Sequence, residues 1–147
     1  MSEESLSTAL LALLERAKMV VEPAGAAAVA ALMDDPQSFE GPVVAVLSGG
    51  NIDPILLMRL IRHGMAAQGR YLALRCRIPD RPGGLARLLA ELSHAEANVL
   101  DVVHERNAES LPVDQVEVVL QMEMRGQAHS EKVVAQLRDH GYEVTVH

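Results

Sequence analysis

The chain has 147 residues, 49% of them hydrophobic but only 2% aromatic, and a formal net charge of -7. That length suits one domain or two small ones, with Leu, Val and Ala filling the core. Residues 1–69 carry 4 basic against 8 acidic groups and residues 70–147 carry 9 against 12, so both halves argue against a nucleic-acid or anionic-membrane surface.

The chain opens Met1-Ser2-Glu3-Glu4-Ser5, acidic where a signal peptide would be basic, and no apolar run is long enough to span a bilayer. A cytoplasmic protein is expected. Leu and Ala recur at helical spacing over 5–17, with Ser2 or Ser5 as N-cap. Glu22-Pro23 then opens an alanine-rich helix through about Met33, with proline at the first position where its missing N–H costs nothing. The continuous apolar run Val43-Val44-Ala45-Val46-Leu47 predicts a strand covered on both faces, as in a parallel sheet. It breaks at Ser48-Gly49-Gly50-Asn51, and Asp53-Pro54 caps a helix expected to run to about His63 and stop at Gly64. One doubly buried strand needs paired neighbours on both sides, and no partner strand occurs before residue 70. Either this half comes from a longer α/β domain or an internal start, or it packs as a helical cluster in which 43–47 is no strand.

The second half reads as a complete unit. A strand (71–78), a helix (about 83–95) and a strand (98–106) are followed by a strand (113–124), a helix (about 128–140) and a strand (142–147). That β-α-β-β-α-β order is ferredoxin-like. Leu85, Leu88, Leu89 and Leu92 form one apolar helix stripe, and Val116, Val118, Leu120, Met122 and Met124 alternate along a half-buried strand. The lone Cys76 excludes an intrachain disulfide, and neither it nor the six histidines has metal-ligand spacing, so no metal is expected. His104 reads as a sheet-face residue.

The most informative stretch joins the first strand to its helix through Asp80-Arg81-Pro82-Gly83-Gly84-Leu85. A strand, a glycine turn and a helix aim free N–H groups past the strand end, where a small carboxylate can sit. An amino-acid effector would place its carboxylate on those N–H groups and its ammonium on Asp80 and Asn98. Leu85, Val99 and a neighbouring subunit would line its side chain. Arg81 reads as exposed. The alternative is a tight turn chosen for backbone conformation alone.

These residues also carry a family resemblance. Residues 70–147 resemble an ACT domain, a ligand-sensing module of amino-acid enzymes, through Asp80–Leu85, Leu88-Leu89 and Asn98-Val99. Residues 1–69 resemble the end of the catalytic domain of threonine/serine ammonia-lyases (threonine dehydratases), pyridoxal-phosphate enzymes of fold type II. The matching stretches are Glu22-Pro23-Ala24-Gly25-Ala26 and Leu47-Ser48-Gly49-Gly50-Asn51-Ile52-Asp53. The resemblance implies a piece of an α/β catalytic domain (1–66) followed by a ferredoxin-like ACT domain (67–147), joined by a Gly64–Gly69 hinge. It implies that Ser48 meets the pyridine nitrogen of the cofactor, that Gly49 and Gly50 let the backbone pass close to the ring, and that Glu22 lies near the pocket edge. It further implies an effector such as Ile, Val, Ser or Thr at Asp80–Leu85, Asn98 and Val99, and a homo-oligomer formed through the sheet edges.

One departure from the family bears on activity. Its Schiff-base lysine and tetraglycine phosphate loop have no counterpart, because the only lysines, Lys18 and Lys132, sit on helices in unrelated contexts. No catalytic residue is expected, nor cofactor binding or deamination by this chain alone. A free-standing ACT-type binding protein is the alternative reading. An active lyase assembled with a separate lysine-bearing subunit is another.

Overall fold

A computed structural model describes residues 2–106 and 112–147. It divides into two compact units between Gln68 and Gly69, two residues beyond the boundary expected from the resemblance.

The first unit is helical. Helix α1 (Glu3–Ala12) starts where the Ser2 hydroxyl accepts the Ser5 N–H at 3.1 Å. It continues as a π-helical turn over Leu13–Ala17 and ends at Lys18, whose φ of 57° no helix can propagate. Helix α2 (Pro23–Asp34) has its proline at the first turn, and α3 (Pro54–Ala67) begins where the Asp53 carboxylate accepts the Ile55 and Leu56 N–H groups, both at 2.9 Å. Leu10, Leu13, Val21, Ala26 and Leu60 form the core, with Val29, Leu47 and Ile52 packed against it.

Two expectations are corrected here. Residues 43–47 pair with no strand, and Val44 and Val46 stand 87% and 77% exposed. A fully apolar strand needs a hydrogen-bonded neighbour on each side, and the described residues of this unit supply none. Within this chain, 43–47 is therefore no strand. Gly64 does not end α3 either. It is buried inside the helix, and a Cβ there would stand 2.7 Å from the Ser7 carbonyl oxygen, so this glycine serves close packing of α1 on α3. Residues 64–67 of the expected Gly64–Gly69 hinge are helical, being the end of α3.

The second unit is ferredoxin-like, as the element order predicts. Strands β1 (Tyr71–Pro79), β2 (Asn98–Glu105), β3 (Gln115–Glu123) and β4 (Glu143–Val146) form one antiparallel sheet in the order β2-β3-β1-β4. Period-2 alternation puts Leu72, Leu74, Cys76 and Ile78 of β1 and Val116, Val118, Leu120 and Met122 of β3 on one buried face. Helices α4 (Gly84–His94) and α5 (Gln127–Asp139) cover it with Leu88, Leu92, Val133, Val134 and Leu137. The opposite face is polar: Arg75 Nη1 donates to Glu117 Oε2 and Arg77 Nη1 to Glu143 Oε2, each at 2.9 Å. His129 ties the helices together, its Nδ1 accepting the Arg125 N–H at 3.2 Å while Nε2 bonds the Ala95 carbonyl at 2.8 Å.

β1 and β2 run in the same direction with β3 between them. Their starts share one end of the sheet (Tyr71 and Asn98 both opposite Glu123) and their finishes share the other (Arg77 and Glu105 both opposite Glu117).

Candidate functional site

The turn after β1 is held by backbone bonds. The Asp80 N–H donates to the Asp114 carbonyl (2.8 Å), Arg81 N–H to Pro79 (2.9 Å), and Gly84 N–H to Arg81 (3.0 Å). Its two glycines are needed for different reasons. Gly83 has φ of 84° with open space around a would-be Cβ, so only its backbone conformation favours glycine. Gly84 has ordinary φ, but a Cβ would stand 2.6 Å from the Pro79 carbonyl oxygen. The helix start is thereby pressed onto the strand end.

Beside this turn lies a cavity of about 280 Å³ lined by Asp80, Arg81, Pro82, Gly83, Leu85, His104 and Arg106. Asp80 Oδ1 accepts from Arg106 Nη2 at 3.3 Å. Of the candidate residues, Asp80, Arg81, Pro82, Gly83 and Leu85 thus come together on one cavity wall, while Gly84 lines the neighbouring cavity. Asn98 and Val99 do not join them within one chain. Asn98 donates to Glu123 Oε2 at 3.0 Å, level with Tyr71, and the length of β1 separates it from Asp80, roughly 26 Å at the rise of a strand. His104 and Arg106 take the place expected of Asn98, because β2 ends where β1 ends. The element order alone carries that signal: in a β-α-β-β-α-β sheet the first two strands are parallel.

The second group of candidates sits in the helical unit and is also brought together. The Glu22 N–H donates to the Gly49 carbonyl at 2.8 Å, and Gly25 packs so closely on the Ser48 carbonyl that no Cβ could stand there. Gly49, at φ 73°, lies against the Glu22 carboxylate. Ser48, Gly49 and Gly50 are exposed, and the Ser48 hydroxyl has no hydrogen-bond partner among the described residues. An open hydroxyl beside a glycine shelf fits the ring edge of a flat heteroaromatic cofactor. Of the two lysines, Lys18 Nζ donates to the Glu15 carbonyl at 2.7 Å, and Lys132 belongs to α5 of the other unit.

Cys76 is enclosed in the sheet core, and burial pushes its thiol up to about 12. Such a thiol is inert near neutrality. Among the described residues no group of His, Cys, Asp or Glu could hold a metal ion, and no helix is long and apolar enough to cross a membrane.

No family model matches the chain. The L-threonine ammonia-lyase of Geobacter sulfurreducens is 43% identical over 145 residues, 98% of this chain. The enzyme of the same name from Thermotoga maritima is 38% identical over 99% of the chain. The chain is homologous, over its own length, to the L-threonine ammonia-lyases. It spans 36% of the length of each. Among solved structures, the ACT domain from the GTP pyrophosphokinase of Chlorobium tepidum aligns with 52% of this chain and 96% of its own, at a TM-score of 0.41 and 16% identity.

Proposed function

We propose that this chain is the regulatory, C-terminal portion of an L-threonine ammonia-lyase. In that reading the ferredoxin-like unit senses a small amino acid, and the helical unit belongs to a pyridoxal-phosphate catalytic domain of a cytoplasmic enzyme. The observation that carries it is the match to two L-threonine ammonia-lyases along nearly all of this chain. The cavity beside Asp80–Leu85 adds the physical means.

The effector carboxylate takes the N–H groups at the start of α4, where the helix dipole favours an anion. Its ammonium goes to Asp80, and because Arg106 already occupies that carboxylate, the ammonium exchanges with a guanidinium rather than meeting a bare charge. Leu85 and His104 bound the side-chain end. Asn98 and Val99 enter from a second copy. β2 is an outer strand with unpaired backbone groups, and antiparallel pairing of two such edges carries one copy's Asn98 toward the other's Asp80. Effector binding then biases the catalytic domain by a coupling of about 1–3 kcal/mol.

In the full enzyme, bound pyridoxal phosphate supplies the electron sink for eliminating water and ammonia. This chain would contribute Ser48 to bond the ring nitrogen, Gly49 and Gly50 to let the backbone pass close to the ring, and Glu22 near the pocket edge. Alone it neither holds the cofactor covalently nor deaminates. An aldimine absorbance band sensitive to borohydride would overturn that statement.

Calorimetric titration with Ile, Val, Ser and Thr tests the sensor. At least one is expected to bind, and Asp80→Ala and Asn98→Ala are each expected to weaken it about tenfold or more. Binding unchanged in both variants, or no binding of any of the four, would remove the assignment.

A further inference from the structure

On the other flank of the Asp80–Gly83 turn the ferredoxin-like unit has a second cavity, of about 320 Å³. The end of β1, the first turns of α4 and the approach to β4 form its walls, and Arg77, Arg81, Arg87, Gln115, Tyr142 and Glu143 line it.

Its charges do not balance. Arg77 is bonded to Glu143 at 2.9 Å, so that pair is neutral. The Arg81 and Arg87 guanidinium groups have no hydrogen-bond or ion-pair partner among the described residues, whereas those of Arg75, Arg77, Arg106 and Arg125 all hold carboxylates. The acidic neighbours that might neutralise the two are committed elsewhere. Asp80, adjacent to Arg81, holds Arg106. Glu91, one helical turn beyond Arg87 and its natural i,i+4 partner, is held by His140 Nδ1 at 2.8 Å. Two guanidinium groups with no carboxylate in direct contact therefore share one concavity of a chain whose net charge is -7. The Tyr142 hydroxyl and the Gln115 side-chain amide, also without partners among the described residues, add neutral donors.

We propose that this cavity is a binding site for a small dianion, a phosphate monoester or a dicarboxylate, held by Arg81 and Arg87. The volume stands at the lower end of the range for small-molecule sites. Guanidinium groups offer planar forks that match phosphate and carboxylate oxygens two at a time, and such charge-assisted bonds are among the stronger polar contacts. The two cavities share Arg81, but Arg87, Gln115 and Tyr142 lie outside the amino-acid cavity, so the Arg87 variants test this site by itself.

The test is a backbone-amide NMR titration of the full chain with inorganic phosphate and, separately, with succinate, at ionic strength held constant with chloride. Saturable shifts are expected at Gly84, Arg87, Gly141 and Tyr142. Arg87→Gln should weaken them about tenfold or more, and Arg87→Lys should fall between, since a point charge replaces the fork. Saturation by phosphate alone assigns the site to phosphate esters, by succinate alone to dicarboxylates, and by both to dianions in general. Shifts that stay linear with both anions, or an Arg87→Gln chain that titrates like the unaltered one, would overturn the proposal.

Discussion

Alanine and asparagine placed in turn at Gly83 and Gly84 separate two physical demands that the sequence merges into one Gly-Gly pair. At Gly84 an added Cβ stands 2.6 Å from the Pro79 carbonyl oxygen and 3.7 Å from Ile78 Cδ1. The near atom is backbone, itself at the end of a paired strand, so the turn must move. Overpacking of this kind costs about 1–3 kcal/mol, offset by up to about 1 kcal/mol from alanine's better helix propensity. At Gly83 the space is open but φ is 84°, and alanine in that region costs about 1–2 kcal/mol. Alanine alone therefore does not distinguish the sites. Asparagine does, because it tolerates left-handed backbone. Gly83→Asn should cost clearly less than Gly83→Ala, whereas Gly84→Asn should cost at least as much as Gly84→Ala, having the same Cβ and a poorer helix propensity. Both tyrosines, Tyr71 and Tyr142, lie in this unit and the chain has no tryptophan, so tyrosine fluorescence during urea unfolding reports this unit alone. A Gly84→Ala chain as stable as the original, or a Gly83→Asn chain no better than Gly83→Ala, would refute the reasoning.

Three further outcomes follow from the packing. Leu92 is fully buried between α4 and the sheet, and Leu92→Ala should cost about 2–5 kcal/mol in the same assay. His129→Ala removes both bonds that link α5 to Arg125 and Ala95 and should cost about 1–3 kcal/mol, because the Ala95 carbonyl loses its partner. The Cys76 thiol is raised from 9.0 to about 12 by burial. Below the unfolded value both states keep the proton and stability is unaffected. Above it the unfolded chain releases the proton that the native chain retains, so stability should fall by about 1.4 kcal/mol per pH unit until the native thiol also ionises. Urea unfolding followed by circular dichroism on either side of pH 9 should give that slope, and Cys76→Ala should abolish it.

Where local pattern and tertiary demand agree, the fold is legible in the residues. The stripe Leu85, Leu88, Leu89, Leu92 and the alternation Val116 to Met124 each have a single geometric solution, and their elements lie within a residue or two of expectation. Val43–Leu47 reads as a strand because its composition reflects a burial that this chain does not itself provide. Gly64 reads as a helix stop, but a helix glycine serves close packing equally well, and only the nearness of Ser7 distinguishes the two. In the site, Asp80–Leu85 is local and visible in one stretch. Arg106 reaches Asp80 across 26 positions of sequence through the parallel run of β1 and β2, which spacing along the chain does not convey. The second cavity was hidden for a related reason: Arg81 and Arg87 look like ordinary surface charges until the commitments of Asp80, Glu91 and Glu143 are known.

The bare Val43–Leu47 ribbon has a practical consequence for handling this chain. An unpaired, uncharged, β-branched tract open to solvent is a template for sticking to itself, and no lysine or arginine interrupts it. Solubility should therefore be limited by the helical unit rather than by the sheet. Lysine at positions 44 and 46 should raise the concentration at which turbidity begins while leaving the tyrosine-reported unfolding curve where it was.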